Sequence, residues 1–255
     1  LKYGIPLVLI SIIVLIFIGQ RLWLNYRQTG TMEADPQAKT RLEQARENVA
    51  STLSALLSQH GLSGQSVELY LRAFKAEEEL EIWSKNPEKE KWTLIKIYSF
   101  CKNSGRLGPK RKEGDLQIPE GVYYINRFNP NSKFHLSLGL NYPNASDRKL
   151  GDPQAPGGDI FIHGGCQTVG CIPITDAGIE EVYVLAEWAK NGGQDRIPVH
   201  LFPFRFTAAK WNLYEAQYPQ FSAFWRQLEA VYHAFETQRE IPEVKILPDG
   251  TYRSE

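Results

Sequence analysis

Reactive side chains are scarce in this chain, with three cysteines, five histidines and one methionine in 255 residues. So few thiols and imidazoles allow every candidate for nucleophilic or metal chemistry to be named. Charge of one sign is lacking too. Lysine plus arginine and aspartate plus glutamate stand at 29 each, so no global field draws in DNA, RNA or an anionic membrane surface, and nucleic acid is not an expected partner. There is no internal repeat and no low-complexity tract. What is present is a 42% hydrophobic, 12% aromatic composition, enough for a core and unlike that of a disordered chain.

The long apolar run lies at the start. Ile5 to Ile18 carry no charge, and Tyr3, Gly4 and Gly19 extend the stretch to about 17 residues, the short end of what a spanning helix needs. Lys2 precedes it, Arg21 and Arg27 follow, and Trp23 and Tyr26 stand where an interfacial belt would lie. A cleaved signal peptide is the rival reading, but no A-x-A-like site follows and no cysteine there awaits a lipid. A buried core helix would be unusually apolar on all sides. The expectation is an uncleaved single-pass anchor over residues 1–27, whose flanking charges nearly balance across the span.

Residues 28–66 read as a helical stalk. Leu42, Ala45, Val49, Leu53 and Leu56 recur at helical spacing, and His60-Gly61 ends the pattern; a free spacer and a helix packed on the following domain fit equally. The period then changes to two. Val67–Ala73, Glu79–Trp83 and Trp92–Tyr98 alternate around the turn-forming Asn86-Pro87 and predict three antiparallel strands. A basic Gly/Pro-rich loop spans Gly105 to Gly114, and further strands are expected at Gly121–Asn126, Phe134–Leu138, Asp159–Ile162 and Pro198–Phe204. Thr175 can cap a helix with Asp176 in its first turn and Ile179, Val182, Leu185 and Ala186 facing inward, ending at Asn191-Gly192-Gly193. Trp211, Tyr214 and the stripe from Phe221 to Phe235 make aromatic amphipathic helices, read as packing rather than as a ligand groove. The fold class is mainly β with flanking helices, with a catalytic domain over residues 67–206 and a helical extension over 207–255.

One segment concentrates the chemistry: Ile160-Phe161-Ile162-His163-Gly164-Gly165-Cys166-Gln167-Thr168-Val169-Gly170-Cys171-Ile172-Pro173. A thiolate is a strong nucleophile, and an imidazole can take its proton. His163 closes a strand, Gly164, Gly165 and Gly170 permit tight turns, and an amide at or just before Cys171 could hold an oxyanion. Eight residues of separation do not by themselves place His163 beside Cys171. Cys166 admits a place in the cleft wall, packing, a disulfide with Cys171, or a bridge to Cys101 that would leave Cys171 free; Cys101 otherwise reads as a buried, inert strand-end residue. A metal held by His163, Cys166 and Cys171, with Cys101 or His135, is the rival reading, but H-x2-C-x4-C fits no common zinc pattern. His135 reads as a cleft or surface residue, and His200 and His233 as packing positions.

The segment resembles the L,D-transpeptidase catalytic (YkuD) family, marked by an I-H-G turn and a stretch ending in S-H-G-C. Gly108-Pro109-Lys110, Glu113-Gly114-Asp115, Gln117, Pro119–Tyr123, Phe134, Ser137, Tyr142-Pro143-Asn144 and Leu201–Arg205 carry the likeness across most of residues 67–205, nearest the YafK-like branch. Thr168-Val169-Gly170-Cys171-Ile172-Pro173 departs from it, lacking the second motif histidine and the following arginine. The resemblance implies a β-sandwich with Cys171 as nucleophile, His163 as base oriented by the Gly164 carbonyl, and the Gly170 backbone at the oxyanion. Tyr142, Thr168 and Arg205 are the candidate substrate contacts. It implies no cofactor and no metal. The substrate implied is the peptidoglycan stem peptide at meso-diaminopimelate, with a thioester passed to an amine or to water. The branch includes enzymes that release a lipoprotein from peptidoglycan, and a degenerate wall-binding module is the non-enzymatic alternative. With the anchor, the resemblance implies a bacterial inner-membrane protein whose catalytic domain faces the periplasm.

Overall fold

The computed structural model describes residues 39–63, 67–85 and 91–254. The expected anchor at residues 1–27 lies outside them; among the described residues no helix is long and apolar enough to cross a membrane. From Thr40 onward the chain forms one unit. Its elements are α1 (Arg41–Gln59), β1 (Glu68–Phe74), β2 (Glu79–Lys85), β3 (Thr93–Ser99), β4 (Gly121–Ser132), β5 (His135–Leu140), α2 (Ala145–Leu150), β6 (Phe161–His163), β7 (Ile172–Pro173), α3 (Asp176–Asn191), β8 (Pro198–Phe202), α4 (Ala208–Gln217), α5 (Ser222–Gln238), β9 (Val244–Ile246) and β10 (Tyr252–Ser254).

Eight strands make a single mixed sheet in the order β3-β2-β1-β8-β4-β5-β6-β7. The expected meander of β1, β2 and β3 is there, antiparallel with Leu71 opposite Ile82 and Ile82 opposite Lys96. The two-sheet sandwich is not. Strand β4 is shared: Gly121–Tyr124 pair with β8, and Ile125–Ser132 pair with β5. Register shifts between Ile125 and Arg127 and between Asn129 and Ser132 mark bulges, which bend a strand. One continuous, bent sheet therefore does what two facing sheets were expected to do. Its outer strands approach each other at one end, where the Cys101 amide donates to the Pro173 carbonyl at 3.0 Å.

Helices cover both faces. On one, Ala45, Val49, Leu53 and Leu57 of α1 join Ile179, Val182, Leu185 and Ala186 of α3 and the inward residues of the strands in the main core. Thr40 and Glu43 form a capping box at the start of α1, satisfying amides that would otherwise be orphaned. Arg46 to Glu187 and Asn48 to Glu180 tie α1 to α3. Of the two readings of this helix, the packed one is found and the free spacer is not. On the other face Phe74, Phe202, Phe204 and Phe206 meet Trp211, Trp225, Leu228 and Tyr232, so the aromatic stripe is core.

The C-terminal extension is not wholly helical. Strands β9 and β10 form an antiparallel pair, and the Tyr252 hydroxyl takes hydrogen bonds from Asn144 and from the Val122 amide, which anchors this end to the sheet. His200 is a packing residue as expected, buried against Tyr70, whereas the His233 side chain is 53% exposed and lies edge-on to the Tyr232 ring.

Candidate active site

Two carboxylates shape the loop that carries the Gly108–Gln117 motif. Asp115 accepts from the Arg111, Lys112 and Gln117 amides and pairs with Lys110 at 2.6 Å. Glu120, fully buried, accepts from the Gly108 amide, Lys75 and Trp225. The loop in turn supports the segment that carries Cys171. A side chain at Gly170 would meet the Gln117 carbonyl at 2.9 Å, and its φ of +97° also favours glycine.

The pairing of β6 with β7 settles what spacing could not. These strands run parallel with Ile162 beside Ile172 and His163 beside Pro173, so Cys171 falls opposite Phe161, two residues from His163 on the same face of the sheet. Ile162 and Ile172 point to the core on the other face and are fully buried, which anchors both strands. His163 is held by its backbone, with Ile174 donating to its carbonyl and Gly164 donating to Leu136. Its ring lies against Phe134, centroids 4.7 Å apart.

The His163 Nδ1 lies 2.5 Å from the Gly164 carbonyl. A carbonyl only accepts, so Nδ1 carries the hydrogen and Nε2 is left as the acceptor. Burial lowers the His163 pKa below the usual 6.5, only partly offset by the Gly164 bond, so the ring is neutral at pH 7. Cys171 is the free cysteine. Burial raises its thiol above the usual 9.0, against the Phe161 amide that favours the thiolate. Among the described residues the sulfur's partners are the Phe161 amide at 3.4 Å and the Asp159 carbonyl at 3.5 Å, not His163. The two groups are therefore a neutral thiol and a neutral imidazole facing one cleft, a resting state that suits proton transfer during attack rather than before it.

Asp176, at the start of α3, holds the turn between them. Its Oδ1 accepts from the Gly165 amide at 2.7 Å, and a side chain on Gly164 would meet that same oxygen at 2.5 Å. Thr175 caps the helix from a left-handed conformation, φ 69°, its hydroxyl accepting from Gly178.

Two recesses open on Cys171 and His163. The first, about 370 Å³, is lined by Asn129, Lys133, Ser137, Asp159 and Phe161. The second, about 460 Å³, is lined by Lys102, Gln167, Thr168 and Val169, and Phe134 belongs to both. Lys133 and Asp159 give the first recess charges of both signs, and Asp159 also pairs with Arg127 at 2.7 Å.

The structure sorts the other expected residues. Thr168 borders the second recess, but its hydroxyl is spent on Cys171, accepting from its amide at 2.9 Å and donating to its carbonyl at 2.7 Å. The Gly170 amide expected at an oxyanion donates to Ser104 Oγ at 2.8 Å, so among the described residues the amides of Gly170 and Cys171 both have partners. Tyr142 and Arg205 line neither recess. The Tyr142 hydroxyl donates to the Pro156 carbonyl, and Arg205 pairs with Glu79 and Glu81 on β2. Cys166 forms a disulfide with Cys101, so the bridge is found and the packing reading of both cysteines is not. Two thiols of the rival metal set are thereby consumed, His135 is bonded to Glu180, and among the described residues no three His, Cys, Asp or Glu side chains converge as ligands. Ser104, Lys102 and Asp159 were not singled out from the sequence, and Asp176 only as a helix-end charge; nothing in the local pattern marks residues that reach the site from other strands.

Residues 88–199 match the YkuD family, the L,D-transpeptidase catalytic domain. YafK of Escherichia coli strain K12 is 36% identical over 186 residues, covering 72% of this chain and 72% of that protein. YafK of Escherichia coli O157:H7 matches to the same extent. Among solved structures, the helical cell shape determining protein Pgp2 from Campylobacter jejuni gives a TM-score of 0.44 at 18% identity over 76% of this chain and 79% of that one. Bd1075 from Bdellovibrio bacteriovorus gives 0.40 at 19%, over 67% and 63%. By its match to YafK and to the domain itself, the chain belongs to the YkuD L,D-transpeptidase family.

Proposed function

We propose that this protein is a cysteine acyl-transfer enzyme of peptidoglycan stem peptides, acting at the L-centre of meso-diaminopimelate. The observation that carries the reading is the tautomer of His163: with Nδ1–H committed to the Gly164 carbonyl, Nε2 is the acceptor on the face shared with the free thiol of Cys171. Sγ attacks the carbonyl carbon while its proton passes to Nε2. The oxyanion is received by the Gly170 amide in exchange for Ser104. The C–N bond then breaks, the departing amine takes the proton from Nε2, and a thioester remains. An acceptor amine or water attacks next, gives its proton to Nε2, and the sulfur leaves and is reprotonated. Amine as acceptor gives transpeptidation, and water gives carboxypeptidase or amidase activity, including release of an attached lipoprotein, through one intermediate. No step calls for a cofactor. A membrane anchor at residues 1–27 and a periplasmic catalytic domain belong to the same reading, since that is where the substrate lies.

The full chain is tested with iodoacetamide and a carbapenem under non-reducing conditions, followed by intact mass. One adduct, on Cys171, is expected. Purified sacculi with and without attached lipoprotein, analysed as muropeptides, then report 3–3 cross-links, tripeptides or freed lipoprotein. Cys171→Ala is expected to lose all turnover and still bind sacculi; turnover retained by this variant would sink the mechanism. A folded native protein that forms no adduct would favour the wall-binding module instead.

A further inference from the structure

The two recesses beside Cys171 differ in charge, and the difference has chemical meaning. The first is lined by Lys133 and Asp159, both signs, as suits a group bearing an ammonium and a carboxylate. The second is lined by one formal charge, the Lys102 ammonium, among Phe134, Gln167, Thr168 and Val169, with His163 neutral. Val169 is 69% exposed and Phe134 41%, so its mouth is apolar around that single cation.

Lys102 has no ion-pair or hydrogen-bond partner among the described residues. A lysine on an open surface would be unremarked, but the backbone here is tied to the site twice over. The preceding residue, Cys101, is bridged to Cys166 within the catalytic segment, and its amide donates to the Pro173 carbonyl, two residues past the nucleophile. The cation is thus carried on strand-end backbone fixed to the loop that bears Cys171.

We propose that Lys102 is a specificity-determining residue that binds the free carboxylate of the amino acid whose amine lies in the scissile amide. Such a leaving group has one negative charge and an aliphatic remainder, because its amine is already acylated. It matches one ammonium beside Val169 and Phe134, and mismatches the mixed-sign recess. This rests on the acyl-transfer reading above. Two leaving groups share the chemistry: a terminal D-alanine, and a lysine joined through its side-chain amine at the end of an attached polypeptide.

The test uses the full, oxidised protein and synthetic stem peptides ending in D-alanine as the free acid or as the amide, with a third carrying side-chain-linked lysine. Wild type is expected to show KM about two- to fivefold lower for the acid than for the amide, the effect of one solvent-exposed charge pair. Lys102→Met is expected to remove that preference by raising KM for the acid, and Lys102→Arg to retain it. Of the two free acids, the one whose KM rises more in Lys102→Met identifies the leaving group. Equal KM for acid and amide in wild type, or an undiminished preference in a folded Lys102→Met, overturns the inference and leaves the acyl-transfer reading standing. No turnover of any of the three substrates by wild type would overturn both.

Discussion

The molecule buries polar groups in two places and treats them in opposite ways. Behind the loop of Gly108, Lys75 and Glu120 are 2% and 0% exposed, paired at 2.9 Å, with Glu120 also taking hydrogen bonds from Trp225 and the Gly108 amide. Nearby on β1, Arg72 meets Glu81 at 2.7 Å and Glu81 meets Arg205. Buried charge is met there by opposite charge and by donors. At the cleft, His163 is 2% exposed and Cys171 half-buried, and among the described residues neither sits in an ion pair. Burial is the largest influence on both and favours the neutral form of each group, lowering the imidazole pKa and raising the thiol's. Pairing marks architecture; a buried pair left neutral, with one acceptor nitrogen unspent, marks the place where a proton can move.

The comparison breaks most sharply at His163. His163→Gln is expected to lower kcat/KM by about 10²- to 10⁴-fold, the usual worth of a general base, while leaving chemical denaturation close to wild type. In the wild type the acid limb follows from the same lowered pKa. Above that pKa the ring is neutral and accepts the thiol proton; below it the ring is protonated and cannot. The kcat/KM profile should therefore fall through an inflection below 6.5, and an inflection at or above that value would contradict a buried, unpaired base.

Glu120→Ala should do the reverse. It leaves the Lys75 ammonium buried with the Gly108 carbonyl as its remaining partner. Breaking a buried pair in this way costs about 3–5 kcal/mol, so the urea midpoint should drop substantially. Folded enzyme, at a temperature and denaturant level where it persists, should keep an unshifted acid limb. A Glu120→Ala variant as stable as wild type would mean that this cluster is not the structural counterpart drawn above.

How much of this could be read beforehand depends on the range of the interaction. Period and punctuation are local, and the strands at 68–74, 79–85, 93–99 and 198–202 and the helix capped by Thr175 stand within a few residues of expectation. The single bent sheet was not legible, because β4 serves β8 with one half and β5 with the other, and alternation looks the same for either partner. Cys171 and His163 were legible through their motif; that they share a face follows only from the parallel pairing of two very short strands. The ion pairs of Arg205 were not legible for the same reason, since Glu79 and Glu81 lie far back in the sequence, on another strand. The Cys101–Cys166 bridge joins residues 65 apart and was one arrangement among several.

Asp176 draws the finest line between the two regions, because it is a charged group that serves the neutral pair without touching it. Its carboxylate holds the Gly165 amide, that amide fixes the Gly164–Gly165 peptide, and the Gly164 carbonyl holds His163 Nδ1. Asp176→Ala releases the amide and loosens the carbonyl. The bond from Nδ1 to Gly164 favours the protonated ring and so raises the pKa; weakening it lets burial lower that pKa further. The acid limb should therefore move to lower pH, while kcat falls by about tenfold because the ring is less well aimed at the thiol. Asp176→Asn keeps an acceptor oxygen and should recover most of both. A purely structural Asp176, mattering only as the first residue of α3, would lower stability in Asp176→Ala and leave the limb where it was. The direction of that shift is thus the measurement that separates a residue positioning the base from one that merely starts a helix.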